Sequence, residues 1–66
     1  MTVAKVIEIS STSTEDFEDA IRQGIAKASE TVRGIEGAWV KEQKVAVSGG
    51  QVTEYQVNLT VTFTLD

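Results

Sequence analysis

The 66-residue sequence contains no cysteine, no histidine and no proline. Without cysteine no disulfide can form, and without cysteine or histidine the usual zinc cages are excluded. A domain of this size buries only about 60% of the surface that its unfolded chain exposes. Small domains compensate with disulfides, a metal or association, and association is the device that this composition favours.

The same absences exclude most catalytic chemistry. The chain has no histidine to act as a near-neutral base and no cysteine to act as a thiol nucleophile, and no serine or threonine stands in a motif that supplies a base. Ten acidic against six basic residues give a net charge of −4, which repels a phosphate backbone. We therefore predict neither an enzyme nor a nucleic-acid-binding protein.

Long apolar runs are also missing. No apolar stretch of signal-peptide or transmembrane length follows a charged start. The lack of cysteine fits a reducing compartment. We therefore expect a cytoplasmic protein that does not bind a membrane.

Three segments of the sequence have the character of strands. Residues 3–9 are short and rich in β-branched side chains, and residues 38–48 and 51–65 flank Gly49 and Gly50, a pair suited to a tight hairpin turn. The segments predict an α+β fold of order β-α-β-β, with a three-stranded antiparallel sheet wrapped on one long helix and the last strand in the centre. We expect residues 1–66 to form a single domain.

The predicted helix runs over residues 14–33, about 30 Å. Two capping boxes are available at its start, Thr12 with Glu15 or Ser13 with Asp16. Gly24 beside the apolar stripe indicates a close backbone approach, and Gly34 and Gly37 are predicted to end the helix. The stripe recurs at spacings of three and four: Phe17, Ala20, Ile21, Ile25, Ala28, Val32 and Ile35.

The last strand has two contrasting faces. Tyr55 begins an apolar series that points to the helix, whereas the alternating series Gln56, Asn58, Thr60, Thr62 and Thr64 is polar and uncharged in a chain that is 24% charged. The strand also outruns a covering helix. Two interpretations stay open for the polar face: contact with a partner, or a solvated threonine stripe, since threonine is a good strand former.

At this point the sequence resembles the dodecins, small β-α-β-β proteins that assemble as hollow dodecamers and in many members bind flavins. The resemblance is seen in VIEISSTSTEDFEDAI, SETVRGIEGAWV and TEYQVNLTVTFTLD, and it extends over essentially the whole chain. It implies a homododecamer that holds a flavin (FMN, riboflavin or FAD) for storage or sequestration.

Three residues follow from the resemblance as flavin contacts. Flavin-binding dodecins stack the isoalloxazine on a tryptophan of the second strand and bind its pyrimidine edge with a glutamine of the last strand. Gln56 matches that glutamine, but the tryptophan position is occupied here by Gly37, and Trp39 lies two residues further on. We predict that Trp39 stacks on the ring, Gln56 hydrogen-bonds its edge and Gly37 leaves room. The alternative roles are a tryptophan anchor and a satisfied amide at a subunit interface.

A second branch of the family is similar as well. Calcium-binding dodecins lack the stacking tryptophan and share a second-strand stretch similar to VKEQKVAV, residues 40–47. The acidic run Glu15, Asp16, Glu18 and Asp19 offers oxygen atoms of the kind that Ca²⁺ prefers, or a solvated first turn favoured by the helix dipole. A calcium-binding or purely structural cage is therefore the alternative prediction, with no metal ligands assigned.

Overall fold

A computed structural model describes residues 3–65. The elements follow the order β1 (Val3–Ser13), α1 (Phe17–Ser29), β2 (Ile35–Ser48) and β3 (Gln51–Leu65). Strand β3 lies between β1 and β2 and is antiparallel to both. The predicted β-α-β-β order, the antiparallel three-stranded sheet and the central last strand are confirmed.

The predicted hairpin turn joins β2 and β3. Gly49 has φ +60° and Gly50 has φ +77°, which is the left-handed region that only glycine enters without steric cost. Two consecutive positive φ angles are those of a type I′ turn, whose twist matches the flanking strands.

Helix α1 is shorter than predicted and begins later. It has 13 residues, about 20 Å, rather than the 20 residues of the predicted span 14–33. Asp16 has an extended backbone as the N-cap, and its side chain accepts a hydrogen bond from the Asp19 amide. Neither predicted capping box forms, because Ser13 stays in β1 and its hydroxyl accepts from the Glu15 amide and donates to Asp19.

The far end of the helix also differs from the prediction. The helix ends at Ser29, and the amide of Val32 bonds the carbonyl of Ala28 beyond it. Gly34, with φ +77°, turns the chain into β2. Gly37 does not end the helix: it lies inside β2 opposite Thr62. Pairing with β3 starts β2 at Ile35, three residues earlier than predicted.

The core lies between α1 and the sheet. Val57, Leu59 and Val61 of β3 and Ala20 of the helix are buried. The ring of Tyr55 meets that of Phe17 edge to face, with centroids 5.1 Å apart, which agrees with the predicted helix-side position of Tyr55. The stripe residues of the helix up to Ile25 thus pack on the core as predicted, whereas Val32 and Ile35 lie beyond the end of the helix. The partly buried side chains around the core come from the strands and the helix: Ile7, Ile9, Phe17, Ile21, Ile25 and Ile35.

Gly24 makes the close approach that the sequence predicted. It is buried, and a Cβ atom added there would lie 3.0 Å from the Cβ of Ser11 and 3.5 Å from Cδ1 of Ile9. The helix therefore rests directly on β1 at this point.

Strand β2 has little cover within one chain. Helix α1 packs on β1 and β3, and every residue of β2 after Ile35 is exposed. The chain measures 52 × 19 × 13 Å with a radius of gyration of 13.7 Å, whereas a compact domain of this length has about 11 Å. The sheet of one chain therefore extends beyond the core that the helix covers.

Candidate functional site

All three predicted ligand residues lie on the outer face, defined as the side of the sheet opposite α1. The buried residues of β3 alternate with Gln56, which therefore points away from the helix. Gly37 is paired with Thr62 and Trp39 with Thr60, and directly opposed residues of an antiparallel pair share a face. The outer face is made of Glu8, Ser10 and Thr12 of β1, Gly37, Trp39, Glu42 and Lys44 of β2, and Gln56, Asn58, Thr60 and Thr62 of β3.

The register separates Trp39 from Gln56 along that face. Trp39 is opposite Thr60, four positions along β3 from Gln56, which corresponds to about 13 Å at the rise of a strand. Gly37 lies on the far side of Trp39 from Gln56. The structure thus places Gly37, Trp39 and Gln56 in this order along the outer face, with about 13 Å of strand between the positions of Trp39 and Gln56.

The surface at Gly37 is open. A Cβ atom added at this position would lie 3.5 Å from the hydroxyl oxygen of Thr62, an ordinary van der Waals contact. That hydroxyl donates to the carbonyl of Gly37 at 3.1 Å. Trp39, next to it on the same face, is 55% exposed. The outer face therefore has, at Trp39, an accessible aromatic ring and, at Gly37, open space beside that ring.

Gln56 and Asn58, the two amides of β3 on the outer face, are hydrogen-bonded to different neighbouring strands. Nε2 of Gln56 donates to the hydroxyl of Ser10 on β1 at 2.9 Å, and Nδ2 of Asn58 donates to the carboxylate of Glu42 on β2 at 2.9 Å. Each amide keeps its carbonyl oxygen and one N–H available after this bond. Ser10 and Asn58 were not among the predicted site residues. Strand alternation placed Asn58 on this face, but only the register of β1 against β3 shows that Ser10 lies beside Gln56.

A shallow recess of about 200 Å³ lies beside these amides, lined by Glu42, Gln43, Lys44, Gln56 and Asn58. The recess lies on the β2 side of Gln56 and Asn58, whereas Ser10 lies on their β1 side. The side chains of its lining residues carry amide groups, one carboxylate and one ammonium group. Such a lining suits the hydrogen-bonding edge of a flat polar molecule.

A salt bridge crosses the outer face between Trp39 and the amides. Lys41 is the extra residue of a β-bulge in β2, and its ammonium group donates to the Glu8 carboxylate of β1 at 3.0 Å. This hydrogen bond and the negative charge of Glu8 raise the pKa of Lys41 above its ordinary value. Thr60, which lies on β3 between the two strands, is only 7% exposed.

The acidic run at the helix start is used locally. Asp16 caps the helix, Asp19 is bonded by Ser13 and Gln23, and Glu18 pairs with Arg22. Within residues 3–65 no group of three or more acidic side chains is arranged to hold a metal ion. The side chains of Asp16, Glu18 and Asp19 are thus engaged in contacts within the helix and with Ser13.

A larger cleft of about 700 Å³ runs between the free edge of β1 and the second half of α1, and its lining includes Ser11, Gln23, Gly24 and Lys27. None of the predicted ligand residues lines it.

In the part of the chain from residue 3 to residue 65, α1 is the sole helix, and it is too short and too polar to cross a bilayer.

The sequence and the fold were then compared with known proteins. The dodecin family model matches residues 3–66. The chain is 39% identical over 64 residues to a dodecin of Thermus thermophilus, with 97% of this chain and 93% of that protein covered. It is 41% identical over 64 residues to a calcium dodecin of Mycobacterium tuberculosis, with 96% and 89% covered.

Solved structures give the same result for the fold. The crystal structure of an arginine-to-alanine variant of the Thermus thermophilus dodecin superposes with a TM-score of 0.94 at 38% identity, covering 100% of this chain and 98% of that one. Sequence and backbone therefore agree from β1 to the end of β3, and the chain belongs to the dodecin family.

Proposed function

We propose that this chain assembles as a homododecamer that binds a flavin between subunits and stores or sequesters it. In this proposal Trp39 stacks on the isoalloxazine, Gln56 hydrogen-bonds its pyrimidine edge and Gly37 leaves room for the ring. The whole chain acts as one domain, and its role is binding rather than catalysis.

The observation that carries the proposal is the exposure of Trp39 on the same face as Gln56. A half-exposed indole is an apolar plate that a flat ring can cover, and stacking of aromatic rings contributes about 0.5 to 1.5 kcal/mol beyond area burial. The amide of Gln56 supplies both a donor and an acceptor, which is the pattern that matches an imide edge. Association is supported by the bare strand β2 and by the elongated shape of one chain.

We expect the purified protein to quench flavin fluorescence on titration and the Trp39→Ala variant to bind flavin about tenfold more weakly, since about 1.4 kcal/mol corresponds to a factor of ten. Because quenching itself depends on the indole, the affinity of both proteins is measured by equilibrium dialysis. Trp39→Phe is the matched control, since it keeps an aromatic plate and should retain most of the affinity. Equal affinity of wild type and Trp39→Ala would remove Trp39 from the site.

A calcium-binding or purely structural cage is the second candidate. It is favoured by Gly37, which stands where flavin-binding members have tryptophan, and by the 41% identity to a calcium dodecin. Because residues 3–65 of one copy contain no group of three acidic side chains arranged for a metal, a Ca²⁺ site in this proposal would take ligands from more than one copy.

Thermal unfolding in Ca²⁺ against a chelator tests this candidate. A ligand that binds only the folded state at 100 times its Kd adds about 2.7 kcal/mol to the free energy of unfolding, so a calcium dodecin should melt several degrees higher in Ca²⁺. Mg²⁺ at the same concentration is the control for ionic strength. We expect no Ca²⁺-specific shift if flavin is the ligand, and a shift without flavin binding would favour the calcium proposal instead.

A further inference from the structure

We propose that Ser10 is a positioning residue for Gln56: its hydroxyl holds the head of the amide side chain over the Asn58 position, where the amide can meet the ligand. This inference rests on the proposed flavin function, since Gln56 is the predicted contact to the ring edge. Ser10 itself does not have to touch the ligand.

The bond between the two residues is diagonal across β1 and β3. Gln56 is directly opposite Thr12, whereas Ser10 is directly opposite Asn58. With Nε2 of Gln56 2.9 Å from the hydroxyl oxygen of Ser10, the head of the side chain leans over the Asn58 position, toward Trp39. The remaining separation from the Trp39 position is about two residues of strand, or about 7 Å, which a fused three-ring system can span.

The same bond uses one N–H of the Gln56 amide on the β1 side, while Gln56 also lines the recess with Glu42 and Lys44 of β2. Its carbonyl oxygen is complementary to a ligand N–H, and the second N–H of Nε2 is complementary to a neighbouring carbonyl. A ring imide offers both groups, whereas its N-methylated form offers no donor.

The neighbouring amide is held from the other flanking strand. Nδ2 of Asn58 donates to the Glu42 carboxylate of β2. The bonded nitrogens of the two amides therefore face opposite strands. Loss of the Ser10 hydroxyl frees Gln56 alone and leaves Asn58 held.

The test compares riboflavin with 3-methylriboflavin as probes, by equilibrium dialysis against the assembled protein. Wild type is expected to prefer riboflavin, and Ser10→Ala to bind riboflavin about threefold to tenfold more weakly, in the range of one neutral hydrogen bond, while its preference over the methylated probe falls. Ser10→Thr restores the hydroxyl and the preference. Thr12→Ala is the matched control, since it removes a hydroxyl opposite Gln56 on the same strand and should leave both probes unaffected.

Ser10→Val and Ser10→Thr form an isosteric pair that differs only in the hydroxyl, and this pair decides the question if Ser10→Ala does not fold. Unchanged affinity and unchanged preference in Ser10→Val relative to Ser10→Thr would overturn the role of Ser10 and leave the flavin proposal intact. A wild-type protein that binds neither probe would overturn the proposed function, and with it this inference.

Discussion

A Gly24→Val variant is expected to lose about 3 kcal/mol of folding free energy, because the Cβ of the added side chain would press on β1 and separate the helix from the sheet. The first added carbon already meets Ser11 at 3.0 Å and Ile9 at 3.5 Å, and overpacking a well-packed contact costs about 1 to 3 kcal/mol or more. For a domain of this size each 1 kcal/mol lowers the Tm by about 4 to 8 °C, so far-UV circular dichroism should show a fall of more than about 12 °C.

The control for this variant is Ala26→Val, on the exposed side of the same helix. It introduces the same β-branched side chain, whose helix propensity is less than about 0.7 kcal/mol below that of alanine. Both variants are melted at one protein concentration, because association makes the Tm concentration-dependent. Helix propensity alone would leave Gly24→Val no less stable than the wild type, because glycine is a poorer helix former than valine. A Gly24→Val Tm no lower than that of Ala26→Val would therefore show that the contact with β1 is unimportant.

A Val45→Lys variant is expected to dissociate the assembly into much smaller species on native mass spectrometry. Val45 lies opposite Tyr55 on the helix side of β2 and is 39% exposed in one chain. Three further exposed valines, Val40, Val47 and Val52, accompany it on β2 and β3. In the proposed oligomer a second copy covers this surface, and burial of an unpaired ammonium group there costs several kcal/mol.

Ala46→Lys supplies the matched control for the assembly. It adds the same charge one position along the strand, where the side chain points to the opposite face and Glu54 is its cross-strand neighbour. We expect this variant to keep the mass of the wild type. If Val45→Lys also keeps the mass of the wild-type assembly, or if the wild type is a folded monomer, the exposed valines of β2 and β3 have no part in association.

Much of the fold followed from local patterns. The alternation from Tyr55 to Leu65 assigned the buried face of β3, and Gly49 with Gly50 located the hairpin. Both signals depend on a few neighbouring residues, because the direction of a side chain along a strand and the allowed φ of a turn are set locally. The predicted contact at Gly24 had the same origin, since a glycine beside an apolar helix stripe has few other roles.

The first and last residues of the helix and the strands did not follow from those patterns. Several residues before the helix can act as N-caps, and Asp16 prevails because Ser13 is held in the sheet by pairing with Tyr55. Strand β1 runs past its predicted end at Ile9 for the same reason. These choices depend on hydrogen bonds to residues more than forty positions away, which no window of the sequence contains.

For the candidate site, the sequence by itself determined which residue types are present and which face of β3 they occupy. Only the tertiary structure decided that Trp39 stands opposite Thr60, that Ser10 bonds Gln56, and that Lys41 of β2 pairs with Glu8 of β1. The physical reason is that the alternation of side chains is a property of one strand, whereas register is a property of a pair of strands. A bulge such as that at Lys41 shifts the register of β2 against β3 by one residue.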